Sequence, residues 1–332
     1  MPRTPGVAVA LILVSFVAFC YAAPPYPSDL LPCVTEWKIT LPVDHNGDDS
    51  SNETDVDQRN TDAMEVVGED LIDYKYSPYF YAADSEVVFR AHCAGATTSG
   101  SKYPRSELRQ LVDGGSNYWS MNDPQFLQAS LRVTHVPVEK PEVCMVQIHG
   151  PDDEPLRVQY HADRGVYLIW NESNKDYDNA LDYTLGERLE VTVSVQSMDI
   201  TCTIRNLDRG AACTKTWTSM DATGYFKVGC YTQSSIFLSQ FKTGKNDEPL
   251  DAYGEVRVSA LSLTPESVGV GGAPDMSRVR LARDRLMHGR GVVPVDLRGQ
   301  AVATPRSGCQ AAGLRLFPGR KDGETVSLSV GH

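Results

Sequence analysis

Hydrophobic and polar residues alternate with a period of two along much of the chain between Cys33 and Thr264. Successive side chains of a β-strand point to opposite faces, so this alternation predicts half-buried strands. Clusters of Gly, Pro, Asn and Asp separate the alternating segments, and no stretch keeps helical periodicity for more than two turns. The predicted strands are Trp37–Pro42, Glu86–Ala91, Glu107–Val112, Gln128–His135, Cys144–His149, Leu156–His161, Val166–Trp170, Leu189–Gln196, Asp199–Asn206, Ala212–Thr218, Tyr225–Gln233 and Glu255–Leu263. Such a pattern predicts an all-β fold, and its size suits a β-jelly roll of two antiparallel sheets.

The strand Tyr225–Gln233 has one apolar and one functional face. The mostly apolar face consists of Phe226, Val228, Cys230 and Thr232. The opposite face consists of Tyr225, Lys227, Gly229, Tyr231 and Gln233. A row of donors and acceptors with one cation indicates the floor of a polar cleft, with a glycine where close approach is needed. An ordinary amphipathic strand with its Tyr and Lys tips in water is the alternative.

Two further strands have the same design. Arg105, Glu107 and Arg109 share one face at a period of two, and Gln147 and His149 share another. Taken alone, the first set is an ion-pair ladder at the surface, which contributes little stability. His149 alone is an ordinary histidine. Together the three strands supply guanidiniums, a carboxylate, an amide, an imidazole, an ammonium and phenols, which favours a functional cleft.

The first 22 residues have the features of a secretion signal. Arg3 precedes an apolar run from Val7 to Phe19, and small residues follow it. The run is too short to span a bilayer comfortably, and no later stretch is long and apolar enough to do so. We therefore expect a soluble, secreted protein with no membrane partner. Asn52 and Asn171 lie in sequons and are candidate glycosylation sites on that route.

Cysteine and charge content restrict the chemistry further. Seven cysteines follow the signal, so disulfides are permitted and at least one thiol is left over. Cys202 and Cys213 flank a predicted hairpin and are the candidate pair. No CxxC spacing occurs, so we expect no metal. The formal net charge of −12 argues against nucleic acid as a partner. It does not exclude an anionic sugar, because binding depends on the local field in a cleft.

The composition changes after Pro265. The segment 268–274 is a glycine-rich linker, and residues 267–332 contain ten basic and five acidic residues without a second apolar core. We interpret 266–332 as a basic, flexible C-terminal tail, with a small added module as the alternative. The predicted organisation is thus a signal peptide at 1–22, a jelly-roll domain at 23–265 and this tail.

The three polar strands closely resemble the signature blocks of alginate lyases of polysaccharide lyase family 7. The blocks are RSELR at 105–109, QIH at 147–149 and YFKVGCYTQ at 225–233, in the family's order. The resemblance covers roughly 30–265. The third block departs from its commonest form at Val228, Cys230 and Thr232, all on the predicted core face. The resemblance implies a jelly roll with a substrate cleft on its concave sheet. It also implies a lyase, without cofactor, that acts on alginate or a related polyuronate.

By this resemblance, Arg105, Gln147 and His149 hold and neutralise the substrate carboxylate, and Tyr231 donates a proton to the leaving oxygen. The base is His149 or Tyr231, depending on whether the sugar is guluronate or mannuronate. A basic Tyr231 would need the cations Arg105 and Lys227 to lower its pKa. The Ile in QIH is associated in the family with guluronate-containing chains. Both endo and exo action stay open.

Other residues of the blocks are predicted to contact or support the substrate. We expect Glu107 to orient Arg105 or Arg109 at the substrate site. The remaining substrate-binding candidates are Arg109, Lys227, Gln233, Tyr225 and Trp119, the last as a stacking platform or else as buried packing. A non-catalytic carbohydrate-binding jelly roll is the alternative function. A glycoside hydrolase needs two carboxylates, and Glu107 is the only one in the blocks. Nothing predicts an oligomer, so we expect a monomer.

Overall fold

A computed structural model describes residues 26–46, 60–151, 154–170, 176–236 and 248–264. It contains a short helix, Pro27–Leu30, and two 3-10 helices, Pro32–Glu36 and Gly68–Leu71. The strands are β1 (Trp37–Asp44), β2 (Ala63–Val67), β3 (Phe80–Ala83), β4 (Glu86–His92), β5 (Arg105–Gln110), β6 (Trp119–Ser120), β7 (Gln125–His135), β8 (Glu142–His149), β9 (Leu156–His161), β10 (Gly165–Trp170), β11 (Asp176–Leu181), β12 (Leu189–Gln196), β13 (Asp199–Asn206), β14 (Ala212–Trp217), β15 (Thr223–Thr232) and β16 (Tyr253–Ser262). The predicted signal peptide, both sequons and the tail lie outside the described residues.

The strands form two antiparallel sheets. The nine-stranded sheet has the order β11-β10-β9-β8-β15-β5-β1-β2, with β6 paired to β15. The seven-stranded sheet has the order β14-β13-β12-β7-β16-β4-β3. This architecture confirms the predicted all-β jelly roll. Each sheet combines strands that are consecutive in sequence, such as β8 to β11, with strands that are distant in sequence, such as β8 and β15, which is typical of that fold.

Apolar side chains from both sheets form one core. In β12 the core positions are Leu189, Val191, Val193 and Val195, all buried, and the residues between them are partly exposed. Phe226, Val228 and Cys230 of β15 belong to the same core. Burying one such aliphatic or aromatic side chain stabilises the fold by about 1.5–3 kcal/mol. The predicted alternation in Tyr225–Gln233 therefore places the functional face away from the core.

All twelve predicted strands are present, with ends that differ by a few residues. The four strands that the pattern did not predict are β2, β3, β6 and β11. Three of them are the outermost strands of their sheets, and β6 has two residues and pairs only with β15. Short outermost strands have one unpaired side, so their sequences need not show a long apolar alternation.

Gly229 lies where β15 passes very close to β5. Its φ is +150°, and a Cβ atom there would lie 2.5 Å from the carbonyl oxygen of Ser106 and 2.7 Å from Cα of Glu107. A larger residue would separate the two strands or shift Glu107. The glycine thus provides the close approach that the sequence indicated.

The predicted disulfide between Cys202 and Cys213 is not formed. Cys202 lies opposite Lys215, and Cys213 lies opposite Ile204, across the β13–β14 pair. The two cysteines therefore occupy diagonal rather than directly opposed positions, and both are free thiols. Within the described ranges, no helix is long and apolar enough to cross a membrane. The same ranges contain no cluster of three or more His, Cys, Asp or Glu that could hold a metal ion.

Candidate active site

The three functional strands lie side by side in the nine-stranded sheet, in the order β8, β15, β5. Their antiparallel register brings the polar residues of the three sequence blocks together. The directly opposed pairs are Tyr225 with His149, Lys227 with Gln147, Lys227 with Arg109, Gly229 with Glu107, and Tyr231 with Arg105. One face of the sheet therefore presents these side chains as a single patch.

Glu107 is the centre of this patch. Its Oε2 atom lies 2.8 Å from Nη1 of Arg105 and 2.7 Å from Nζ of Lys227. Its Oε1 atom accepts a hydrogen bond from Nε2 of Gln147 at 2.5 Å. Burial favours the neutral acid, but Lys227 and Arg105 outweigh it and hold the pKa of Glu107 below its ordinary value. Glu107 has no exposed surface. Glu107 therefore lies beneath the donors with which it pairs, and its side chain has no surface open to a sugar.

The side chains around Glu107 keep hydrogen-bonding groups that are not used within the patch. Arg105 also donates to Oγ of Ser101 at 2.5 Å, and its Nε has no hydrogen-bond partner among the described residues. Oε1 of Gln147 likewise has none there. Because Glu107 is an acceptor, the Gln147 amide must turn its nitrogen towards it, and that nitrogen keeps a second hydrogen. Burial and then Arg105 lower the pKa of Lys227 to about 8, although Glu107 opposes the change.

His149 is held as a neutral imidazole. Its Nδ1 lies 2.6 Å from the carbonyl oxygen of Gly150, so Nδ1 bears the hydrogen and Nε2 has the lone pair. The ring stacks on Tyr225 at 5.3 Å between centroids and 8° between planes. The guanidinium of Arg109 lies 3.9 Å from the centroid of the same Tyr225 ring. Burial, with Lys227 next, lowers the pKa of His149 to about 4.

Tyr231 keeps its phenolic proton at neutral pH. The guanidinium of Arg105 lies 3.8 Å from its ring centroid, and the ring of Tyr103 is 6.0 Å away. Burial raises the pKa of Tyr231 and outweighs the opposing effect of Arg105. The cations therefore do not lower the pKa of Tyr231 as a basic role would require. The arrangement suits a proton donor.

The exposed aromatic residue next to the patch is Tyr118 rather than Trp119. Trp119 is buried, donates from Nε1 to Oε1 of Gln110 at 2.9 Å, and packs on Phe226. It cannot form a stacking platform for a sugar. Tyr118 is 42% exposed, and its ring lies 5.4 Å from that of Tyr225. Adjacent residues in an extended segment point to opposite sides, which explains why only one of the pair faces outward.

A cavity of about 510 Å³ continues from Tyr231 and Gln233 over β9 and β10. Its basic lining residues are Lys102, Lys140, Arg157, His161 and Arg164. Two carboxylates, Glu142 and Glu154, also line it. None of these seven residues belongs to a sequence block, so no motif identifies them from the sequence. The excess of cations suits an anionic chain.

The alginate lyase family profile matches residues 29–265 of this chain. Among solved structures, the alginate lyase AlgAT5 from polysaccharide lyase family 7 is similar to it, with 31% sequence identity and a TM-score of 0.57 over 72% of this chain and 98% of that chain. The alginate lyase from Corynebacterium sp. is 27% identical, with a TM-score of 0.58 over 72% of this chain and 98% of that chain. The alginate lyase from Klebsiella pneumoniae, at 23% identity and a TM-score of 0.55 over 73% of this chain and 99% of that chain, shows the same fold.

No curated protein sequence matches this chain. The family profile nevertheless covers most of it, including all three blocks that meet in the patch around Glu107. The chain therefore belongs to the alginate lyases of polysaccharide lyase family 7 and is a polysaccharide lyase.

Proposed function

We propose that this alginate lyase is secreted and cleaves guluronate-containing chains by β-elimination, with His149 as the base and Tyr231 as the acid. The observation that supports this assignment is that the patch contains one group able to accept a proton and another that still holds its proton. His149 has a free lone pair on Nε2, while Tyr231 retains its proton.

The first requirement of β-elimination is to acidify the proton on C5 of the uronate. That proton is adjacent to the carboxylate, on which negative charge accumulates as the proton leaves. Preorganised donors stabilise such charge more effectively than water does. Arg105 and the second N–H of Gln147 would bind the carboxylate oxygens, and Lys227 adds a positive charge beside them. Glu107 fixes all three before substrate arrives.

The second requirement is a base and an acid. Nε2 of His149 takes the C5 proton, and the electron pair of the C5–H bond forms the C4–C5 double bond. The C4–O bond breaks towards oxygen, which receives the proton of the Tyr231 hydroxyl. In guluronate the C5 hydrogen and the C4 oxygen point to opposite faces of the ring, so the two steps need two separate groups. In mannuronate they share a face, and one group can serve both. A neutral His149 beside a protonated Tyr231 thus favours guluronate.

The neighbouring uronates would lie along the cavity beyond Tyr231. Lys140 and Arg164 line it and can pair with carboxylates of the polymer. Gln233 lies at the junction between this cavity and the patch, and Tyr118 provides an aromatic surface near Tyr225. These positions extend the binding surface past a single sugar.

The test is ultraviolet absorbance of the purified protein with polyguluronate, polymannuronate and a neutral β-glucan. Elimination creates a double bond conjugated to a carboxylate, whereas hydrolysis does not. We expect absorbance to rise fastest with polyguluronate, to stay flat with the glucan, and to be lost in Tyr231→Phe. Tyr81→Phe, on β3 of the other sheet, is the matched control and should keep full activity. A faster rise with polymannuronate would refute the substrate preference. Binding without any rise would leave a carbohydrate-binding module.

Secretion has its own test. Expression of the full chain with its first 22 residues should deliver protein to the medium, with Ala23 as the first residue by intact mass. Retention of the uncleaved chain inside the cell would contradict this part of the proposal.

A further inference from the structure

A carboxylate lies inside the cleft, next to the imidazole of His149. Oε1 of Glu154 is 3.4 Å from Nε2 of His149, and its Oε2 is 3.9 Å from Nη2 of Arg157. The side chains of His149 and Glu154 are 27% and 24% exposed, so the contact is only partly shielded from water. An anion here opposes binding of a polyanion. It therefore needs a function that compensates for the repulsion.

The atom of His149 that faces Glu154 is the one with the lone pair. Nδ1 donates to the carbonyl oxygen of Gly150, so a proton gained by the ring must bind at Nε2. Once protonated there, the ring presents an N–H group to Glu154. The carboxylate is thus placed to stabilise the protonated ring and to have no favourable contact with the neutral one.

Among the described residues, the other charged groups that act on His149 lie on two strands. From β15, Lys227 disfavours a positive ring, and Tyr225 stacks on the imidazole. From β5, Arg105 also disfavours it, and Glu107 favours it. Glu107 is already bonded to both of those cations. Of the carboxylates in the part of the chain that the structure describes, Glu154 is therefore the one that contacts the ring nitrogen on which the proton would be held, at 3.4 Å.

We infer that Glu154 is a positioning residue that acts through His149, pairing with the imidazolium formed when Nε2 takes the C5 proton. The inference rests on the proposed function. The proton moves from C5 to Nε2, the electron pair of the C5–H bond enters the C4–C5 double bond, and the leaving oxygen takes the proton of Tyr231. Glu154 neither gains nor loses a proton. Arg157 pairs with the second oxygen of this carboxylate at 3.9 Å.

Glu154→Gln tests this role, with Glu154→Asp as the conservative variant. Glu69→Gln removes an equal charge from an exposed residue that does not line the cavity, and serves as the control. We expect Glu154→Gln to lower kcat by about ten- to a hundred-fold, less than the ~10²–10⁴-fold contribution of a proton-transfer group itself. KM should stay the same or fall, because an anion has left the cleft. Glu154→Asp should recover part of kcat, and Glu69→Gln should change neither constant.

A second readout does not depend on turnover. Titration of the histidine ring signals by NMR, with His149 assigned from a His149→Asn spectrum, gives the pKa of His149 directly. Glu154→Gln should lower it by about one pH unit, the equivalent of a tenfold change. The acidic limb of the pH–rate profile should move to lower pH by a similar amount.

The outcomes separate the inference from the proposed function. An unchanged His149 titration in Glu154→Gln overturns the inference, whatever the activity. A rise in KM with kcat unchanged also overturns it, because Glu154 would then bind substrate. A lowered His149 pKa in a protein without lyase activity on any uronan would refute the proposed function while the pairing of Glu154 with His149 stands.

Discussion

Glu107→Gln is the sharpest test of how the site is held together. The substitution keeps the shape of the side chain and removes the charge that Arg105 and Lys227 share. Both cations lie within 2.8 Å of Glu107, and Glu107 itself is fully buried. An amide in its place would leave two buried cations with a neutral partner. It would also turn one N–H group towards donors that need an acceptor.

The expected magnitude follows from that geometry. Removing one partner of a buried ion pair destabilises a protein by about 3–5 kcal/mol, because it leaves an uncompensated charge. The pKa of Lys227 is already lowered to about 8, so in the variant this lysine can lose its proton near neutral pH. Because loss of this proton removes one of the two uncompensated charges, we expect the free energy of unfolding to fall by an amount near the lower limit, about 3 kcal/mol. The donors also lose their fixed positions, so kcat/KM should fall about 100-fold or more.

The assay compares urea unfolding and the ultraviolet rate of elimination for the wild type, Glu107→Gln and Glu65→Gln. Glu65 is the matched control, because it also pairs with a lysine at 2.7 Å but is 32% exposed. Glu65→Gln should change stability by less than about 1 kcal/mol and leave the rate intact. Two results would refute the reasoning. One is a Glu107→Gln protein as stable as the control. The other is a destabilised protein whose folded fraction turns over at the wild-type rate.

Three further predictions follow from the same site and strands. First, kcat/KM should fall below about pH 4, where His149 becomes protonated, and above about pH 8, where Lys227 loses its proton; a rate that stays constant to pH 10 would contradict the role of Lys227. Second, Gly229→Ala should lower the free energy of unfolding by about 1–3 kcal/mol or more through overpacking against β5; Gly210→Ala, with a positive φ but open space, should lose less in the same urea titration. Third, Tyr118→Ala should raise KM about two- to tenfold, the value of one aromatic stacking contact, with kcat nearly unchanged; unchanged KM in steady-state kinetics would remove Tyr118 from the binding surface.

The alternation of residues predicted the strands and the faces of the site. In β15 a period of two separates Phe226 and Val228, which lie in the core, from Lys227 and Tyr231, which lie in the patch. That separation depends only on local backbone geometry, so the sequence is sufficient for it. The same holds for the Arg105 and Gln147 strands, whose polar faces meet because β8, β15 and β5 are neighbours.

What the sequence could not predict depends on contacts between distant segments. Trp119 and Tyr118 are adjacent and chemically alike, and only the pairing of β6 with β15 decides which one is buried. Cys202 and Cys213 flank a real hairpin, but its register displaces them by one diagonal step. The pKa of Tyr231 illustrates the same limit. The cations that would lower the pKa of Tyr231 can be identified from the sequence. The burial that raises this pKa depends on how the whole sheet packs.

The buried carboxylate of Glu107 lies in a cleft for a polyanion because it offsets the cost of burying two cations. The side chains of Arg105 and Lys227 are almost completely buried, and burial alone favours the loss of their protons. Glu107 offsets that penalty for both and fixes their directions at the same time. The net attraction for a uronan then comes from cations farther out, such as Lys140 and Arg164, which remain partly in water and lose less solvation. Glu107 thus stabilises the buried cations, and the outer cations attract the substrate. For this reason the alternation Arg105, Glu107, Arg109 is compatible with an anion-binding strand and is not a surface ion-pair ladder.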